Sequence, residues 1–204
     1  ALVLTTLLVS AVVCNINFAA AGVALPDIGM TFDASQTELN LVALGTGLGL
    51  AMSVLYFGAI ADRYGRNQML LLGLSLTVVT SLIAAFAPSI EILIVARVLT
   101  GLAAGMAYPT TLSLITALWA GNGRTRSIAL SSAVGGSVAA LGLLIAGLML
   151  SQWWWGSVFL SSLPLIVIAV PTTIRLIPAH VNETTDKVDN LGGVLSVVLV
   201  GSVI

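Results

Sequence analysis

Apolar residues run almost unbroken through this chain, interrupted at intervals by short clusters of polar and charged positions. A helix that crosses a bilayer needs roughly 20 such residues in succession. Six runs satisfy that length: Leu2–Leu25, Leu39–Ala61, Gln68–Ala87, Ile92–Trp119, Ile128–Leu150 and Val158–Ile177. A seventh begins at Leu191 and reaches only to Ile204, too short to cross. The pattern therefore predicts a bundle over residues 1–177, a polar linker over 178–190 and the start of a seventh helix over 191–204.

Composition changes the picture in one respect, by excluding a soluble domain. With 58% hydrophobic and 7% charged residues, too little polar material remains to cover an apolar core in water. The net charge of -1 offers no basic stripe to neutralise phosphates, so nucleic acid is not an expected partner. The one cysteine, Cys14, lies inside an apolar run, which leaves neither a disulfide framework nor a cysteine metal site. No metal cluster, nucleophilic triad or phosphate loop is visible, so neither an enzyme nor a cofactor is expected.

The charges that do occur are sorted by loop. Arg63 and Arg66, Arg124 and Arg126, and Arg175 and Lys187 fall between spans 2 and 3, 4 and 5, and 6 and 7; the intervening loops hold Asp27, Asp33, Glu38 and Glu91 instead. The positive-inside rule makes loops 2-3, 4-5 and 6-7 cytoplasmic. Trp153, Trp154 and Trp155 then mark the outer headgroup boundary as an aromatic belt.

Between spans 2 and 3 stands the densest cluster, Gly58-Ala-Ile-Ala-Asp62-Arg63-Tyr-Gly65-Arg66. Gly58 precedes Asp62 by one helical turn, a place where a missing side chain lets another helix approach. Gly65 suits the positive-φ residue that ends a helix. Asp62 at the negative end of a helix needs a cation or a facing helix N-terminus. This cluster, in this position, resembles the hallmark loop of the major facilitator superfamily of secondary transporters. The resemblance implies that Gly58, Asp62, Arg63, Gly65 and Arg66 form a cytoplasmic latch between two halves of a transporter.

The resemblance extends along the chain. Val23-Ala24-Leu25-Pro26 is similar to the end of the first helix in the drug-exporting branches, and Asn17 stands where the branch with fourteen helices usually has an aspartate. Asparagine does not titrate, so a proton-carrying role for that position is lost. Arg97 to Gly105 matches a second family motif whose arginine is linked to proton coupling, with Thr100 in place of the usual glutamine. Arg97 lies about six residues into its span, at a depth where an arginine is costly, and it either serves coupling or snorkels outward. In the fifth span Leu143 and Ala146 replace a proline and a glycine of the antiporter motif, which weakens the antiporter assignment. Trp155–Leu160, Pro164 and the short polar linker resemble the branch with fourteen helices, drug:proton antiporters of the multidrug exporter type.

From these observations the expected fold is an all-helical membrane protein, the six-helix amino-terminal bundle of a major facilitator fold with its two three-helix repeats. The expected function is export of lipophilic or amphiphilic small molecules by alternating access with proton coupling, in a bacterial inner membrane. Membrane lipids, protons and a carboxy-terminal half of the same transporter are the implied partners. Gly101, Gly105, Gly142 and Gly147 are expected at helix contacts. Asn17, Thr46, Tyr56, Thr100 and Tyr108 are expected to line the substrate cavity, and Asn15 with Asn17 to act there or as interhelical glue. A channel would want a polar pore ring, which is absent here. The competing expectation is a lipid or amphiphile transporter, or a lipid-binding scaffold, without proton antiport.

Overall fold

The computed structural model describes residues 2–178 and 190–203, and among these the regular structure is entirely α-helical. The helices are α1 (Leu2–Phe32), α2 (Gln36–Tyr64), α3 (Arg66–Ala85), α4 (Ile90–Leu118), α5 (Gly121–Gln152), α6 (Ser157–Leu160), α7 (Leu163–Leu176) and α8 (Asn190–Val203). Six segments are long and apolar enough to cross a membrane, α6 and α7 together forming the sixth. Their connection through Ser161 and Ser162 is a turn that restarts at Pro164, which lacks the N–H a continuous helix would need there.

Most boundaries lie outside the expected ones, and the local chemistry explains them. Helix α1 does not stop at Leu25. It passes through Pro26 to Phe32, because Ile28 is fully buried and the Phe32 ring meets Trp155 edge-on with centroids 5.5 Å apart. Packing thus outweighs the single backbone hydrogen bond a proline forfeits. Asp33 then adopts a left-handed backbone, φ 49°, a conformation aspartate tolerates better than most residues. Ser35 and Glu38 form a reciprocal capping box, so Glu38 belongs to the first turn of α2 rather than to a loop. Likewise Arg124 and Arg126 lie in the first two turns of α5, the α4–α5 connection being only Trp119 and Ala120.

Two apolar clusters divide the bundle along its length. One gathers Leu7, Leu70, Leu74, Leu114 and Ile166, the other Ile28, Val42, Leu93, Trp155 and Phe159. Near their junction lies a buried polar layer with Asn17, Thr46, Ser81 and Arg97.

The closest helix crossing is between α2 and α4. A Cβ at Gly49 would strike the carbonyl of Val98, and one at Gly101 the carbonyl of Thr46, while Gly105 faces the Ser53 hydroxyl. Backbones approach this closely only where side chains are missing, and that contact replaces a hydrophobic drive that lipid does not supply. Gly101 and Gly105 thus lie where α2 and α4 approach most closely. Gly142 is in no more than ordinary contact with Ala19, and around Gly147 there is open space, so these two do not hold helices together within the bundle. Helix α5 is broadly exposed along that stretch, with Leu141, Leu143, Leu144, Ile145 and Leu148 uncovered.

Trp153 and Trp154 are exposed as a belt requires, but Trp155 is buried between Phe32 and Phe159 and belongs to the core. The seventh helix, α8, packs on α2, with Gly193 against the Tyr56 ring. The linker expected over 178–190, with His180 and Lys187, falls almost wholly on residues 179–189, outside the described residues.

Candidate functional site

Three arrangements of polar residues interrupt the apolar bundle, and each is set by the helices that carry it. The first is the α2–α3 hairpin. Helix α2 ends at Tyr64 and α3 begins at Arg66, leaving Gly65 as the whole connection with φ 120° and ψ 121°. Only glycine enters that backbone region at ease. The tight turn sets Arg66 beside Asp62: Arg66 Nε donates to Asp62 Oδ1 at 2.9 Å, and Nη2 lies 2.9 Å from the same oxygen. Asp62 thus gains a cation, which offsets its position at the negative end of α2.

Arg63 lies with its guanidinium 5.4 Å from the Tyr64 ring centroid. Gly58 is not a close-approach glycine. Space remains open around it, and with Ala61, Asp62, Pro109, Thr110 and Ser113 it lines a cleft of about 110 Å³ between α2 and α4.

Next to Arg66, Asn67 is a residue the sequence did not single out. Its Nδ2 donates to the carbonyl of Ile177 at 3.0 Å, in a buried contact. The hydrogen bond ties the hairpin to the end of α7, satisfying a carbonyl that a helix terminus leaves without a partner.

The second arrangement surrounds Arg97, whose side chain is fully buried. Snorkelling to the surface, the alternative the sequence left open, does not occur. Nη1 donates to the Asn17 carbonyl at 3.0 Å and Nε to the Val42 carbonyl at 3.3 Å, while the guanidinium carbon sits 5.3 Å from the Phe159 ring centroid. Nη2 has no partner among the described residues.

An arginine at mid-helix costs about 2.5–3.5 kcal/mol to insert. Two hydrogen bonds from a charged donor, at about 1.5 kcal/mol or more each, are of that size. Asn17 contributes its backbone carbonyl here, not its amide, which instead donates to Val13 and accepts from Ser81 at 3.4 Å. Thr46 donates to the Arg97 carbonyl at 3.2 Å. The arginine therefore joins α1, α2, α4 and α6 without a carboxylate among the described residues.

The third arrangement is a cleft of about 330 Å³ between α1, α4 and α5. Along α5 it is lined by Ile128, Ser131, Ser132, Gly135, Gly136 and Ala139, a set at helical spacing on one face. Facing them are Asn15 from α1 and Tyr108 and Thr111 from α4. Of the five expected cavity residues only Tyr108 reaches this cleft. Asn17, Thr46 and Thr100 are buried in helix contacts, Thr100 bonded back to Ala96, and Tyr56 stacks near Phe57 and against α8. Asn15, Ser131 and Ser132 take their place. Asn15 was one of the two asparagines expected at the cavity or as glue; for Ser131 and Ser132 a signal was present in the α5 stripe of small and polar residues inside an apolar span, but one span alone does not say which helices it faces.

Comparison with known proteins gives this architecture its relatives. The model of the Major Facilitator Superfamily matches residues 7–201. The chain belongs to that superfamily. It is 37% identical over 179 residues to the methyl viologen resistance protein SmvA of Salmonella typhimurium, covering 87% of this chain and 36% of the relative. It is 32% identical over 183 residues to the multidrug resistance protein Stp of Mycobacterium tuberculosis, covering 89% and 34%, and 32% identical over 183 residues to the methylenomycin A resistance protein of Streptomyces coelicolor, covering 89% and 38%. The chain thus spans about a third of the length of these curated relatives. Membership of a transporter superfamily and six membrane-length apolar helices make it a multi-pass membrane protein.

Proposed function

We propose that these residues form the amino-terminal helical half of a secondary active transporter that exports lipophilic or amphiphilic small molecules from a bacterial cell. The observation that carries the reading is the cleft between α1, α4 and α5. A largely apolar wall with a few neutral polar groups suits a lipophilic ligand. Resistance to small molecules is also what the relatives' names describe.

The rest of the transporter, a carboxy-terminal half, would complete the cavity from the other side, and the two halves would rock about it in alternating access. The branch with fourteen helices fits the α8 segment that follows the linker. The hairpin with Asp62, Arg63 and Arg66 would face the cytoplasm and latch the two halves.

Proton coupling is part of the proposal, with a particular division of labour. No acidic side chain lies within the described spans away from their ends. The proton would therefore be carried by a carboxylate outside these residues, and Arg97 would act on that site through the helices it joins.

The test is transport by the full-length protein in everted vesicles energised by a pH gradient. Asp62→Asn is expected to remove most transport while the protein still inserts and purifies. A partly exposed ion pair one helical turn apart contributes about 1 kcal/mol or less, so a large loss in a protein that still folds would report the latch rather than instability. Normal export by the variant would overturn the latch.

A further inference from the structure

The cleft between α1, α4 and α5 has hydrogen-bonding capacity that the protein itself leaves unused. Many hydroxyls in the spans fold back onto their own helix: those of Ser10, Thr77 and Thr100, and of Thr111 on the cleft's α4 wall, each donate to the carbonyl four residues earlier. Such back-bonding is the usual fate of a hydroxyl in a membrane helix. The side-chain hydroxyls of Ser131, Ser132 and Tyr108 have no hydrogen-bond partner among the described residues. Asn15 donates once, from Nδ2 to the Ala11 carbonyl at 2.8 Å. That leaves its Oδ1 and one amide hydrogen free.

The glycines give these groups room. A Cβ at Gly135 would come within 3.3 Å of Asn15 Nδ2, and at Gly136 one would meet nothing within 4 Å. Among the described residues no charged side chain lines the cleft. Arg97 is sealed in the core, and Asp62 opens onto the separate cleft at the hairpin. In a medium of low dielectric a permanent charge needs an opposite charge, whereas a neutral polar group needs only hydrogen-bond partners. Three hydroxyls and a carboxamide are partners of the second kind.

We propose that this cleft is the specificity site for an uncharged hydrogen-bonding headgroup, an amide, carbonyl or hydroxyl, on an otherwise apolar substrate, read by Asn15, Ser131, Ser132 and Tyr108. The inference rests on the proposed export function and adds to it the part of the substrate that is recognised. The hydroxyls act as adaptable donors or acceptors and Asn15 offers one of each, so headgroups of different polarity are accommodated while the apolar tail selects little.

Equilibrium binding to the full-length protein in lipid nanodiscs tests this, with N-benzylacetamide as the neutral probe and benzyltrimethylammonium ion as a cation of similar size. Wild type is expected to bind the amide more tightly. Asn15→Leu, and separately the pair Ser131→Ala with Ser132→Ala, should each weaken amide binding roughly fivefold, the loss of a net hydrogen bond, and leave ammonium binding unchanged. Thermal unfolding of the same samples checks that the variants are folded. Equal losses for both probes would mean that these residues only pack, and unchanged amide binding would mean that the headgroup is read elsewhere; either overturns the proposal, as does tighter binding of the ammonium ion by wild type. Vesicle transport separates the two levels. Export without headgroup preference defeats this inference alone, and headgroup preference without export defeats the transporter reading.

Discussion

At the scale of single residues, Arg97 shows how the same side chain has two readings that only its surroundings decide. Arginine has a long stem, and near the end of a span that stem normally carries the charge to water. Here the guanidinium is held by the carbonyls of Asn17 and Val42 and covered by Phe159. Because the bonds come from a planar fork, lysine does not reproduce them. Arg97→Ala is expected to abolish pH-driven uptake in vesicles, and Arg97→Lys to recover little of it although the charge is kept. Unchanged uptake in Arg97→Ala would remove Arg97 from coupling. Asn17 makes the complementary point: what its position contributes to the arginine is a backbone carbonyl, which most residues would supply.

At the scale of helices, glycine has meaning only against a neighbour. Gly101 and Gly147 are alike in sequence terms, small residues in apolar spans. At Gly101 a methyl group would collide with the Thr46 carbonyl, while at Gly147 nothing lies within 4 Å. Forcing α2 and α4 apart is an overpacking change of about 1–3 kcal/mol. Gly101→Ala should therefore lower the unfolding temperature of the purified protein clearly, whereas Gly147→Ala should stay within about 0.5 kcal/mol, with any shift upward because alanine favours the helix. Similar melting curves for the two variants would show that the α2–α4 crossing is not where the bundle is tight. The same reasoning covers α1, whose last two turns are held by Ile28 and Phe32 rather than by the preferences of the residues around Pro26.

At the scale of the whole molecule, the six spans alternate in direction, so the ends of α2, α4 and α7 and the starts of α3 and α5 come together. This gathers Arg63, Arg66, Arg124, Arg126 and Arg175 at one end and leaves Asp27, Asp33, Glu38 and Glu91 at the other. The distribution predicts which side each end faces. Cys14 is buried, so a cysteine introduced at the exposed Arg124 would be the reactive thiol among the described residues. An impermeant maleimide is expected to label it in inside-out vesicles and not in intact cells; labelling in intact cells would invert the topology. The hairpin at that end is linked to the sixth span by the Asn67 bond to Ile177, so a movement of the hairpin would be passed on to the end of α7.

Much of this was legible before the helices were placed. Length and apolarity of the runs, which depend on bilayer thickness and chain rise alone, were sufficient for the six spans. Local chemistry explains the turn between α2 and α3, since Gly65 adopts a positive φ that glycine enters at ease and brings Asp62 and Arg66, four residues apart, within reach of each other. The cleft was a different matter. Asn15, Tyr108, Ser131 and Ser132 sit on three helices, and whether a polar residue lines a cavity or bonds to its own helix depends on rotation and neighbours that no single span encodes. For that reason Asn17, Thr46 and Thr100, equally polar and equally central in their spans, turned inward to the packing, while residues two places or two helices away were left facing open space.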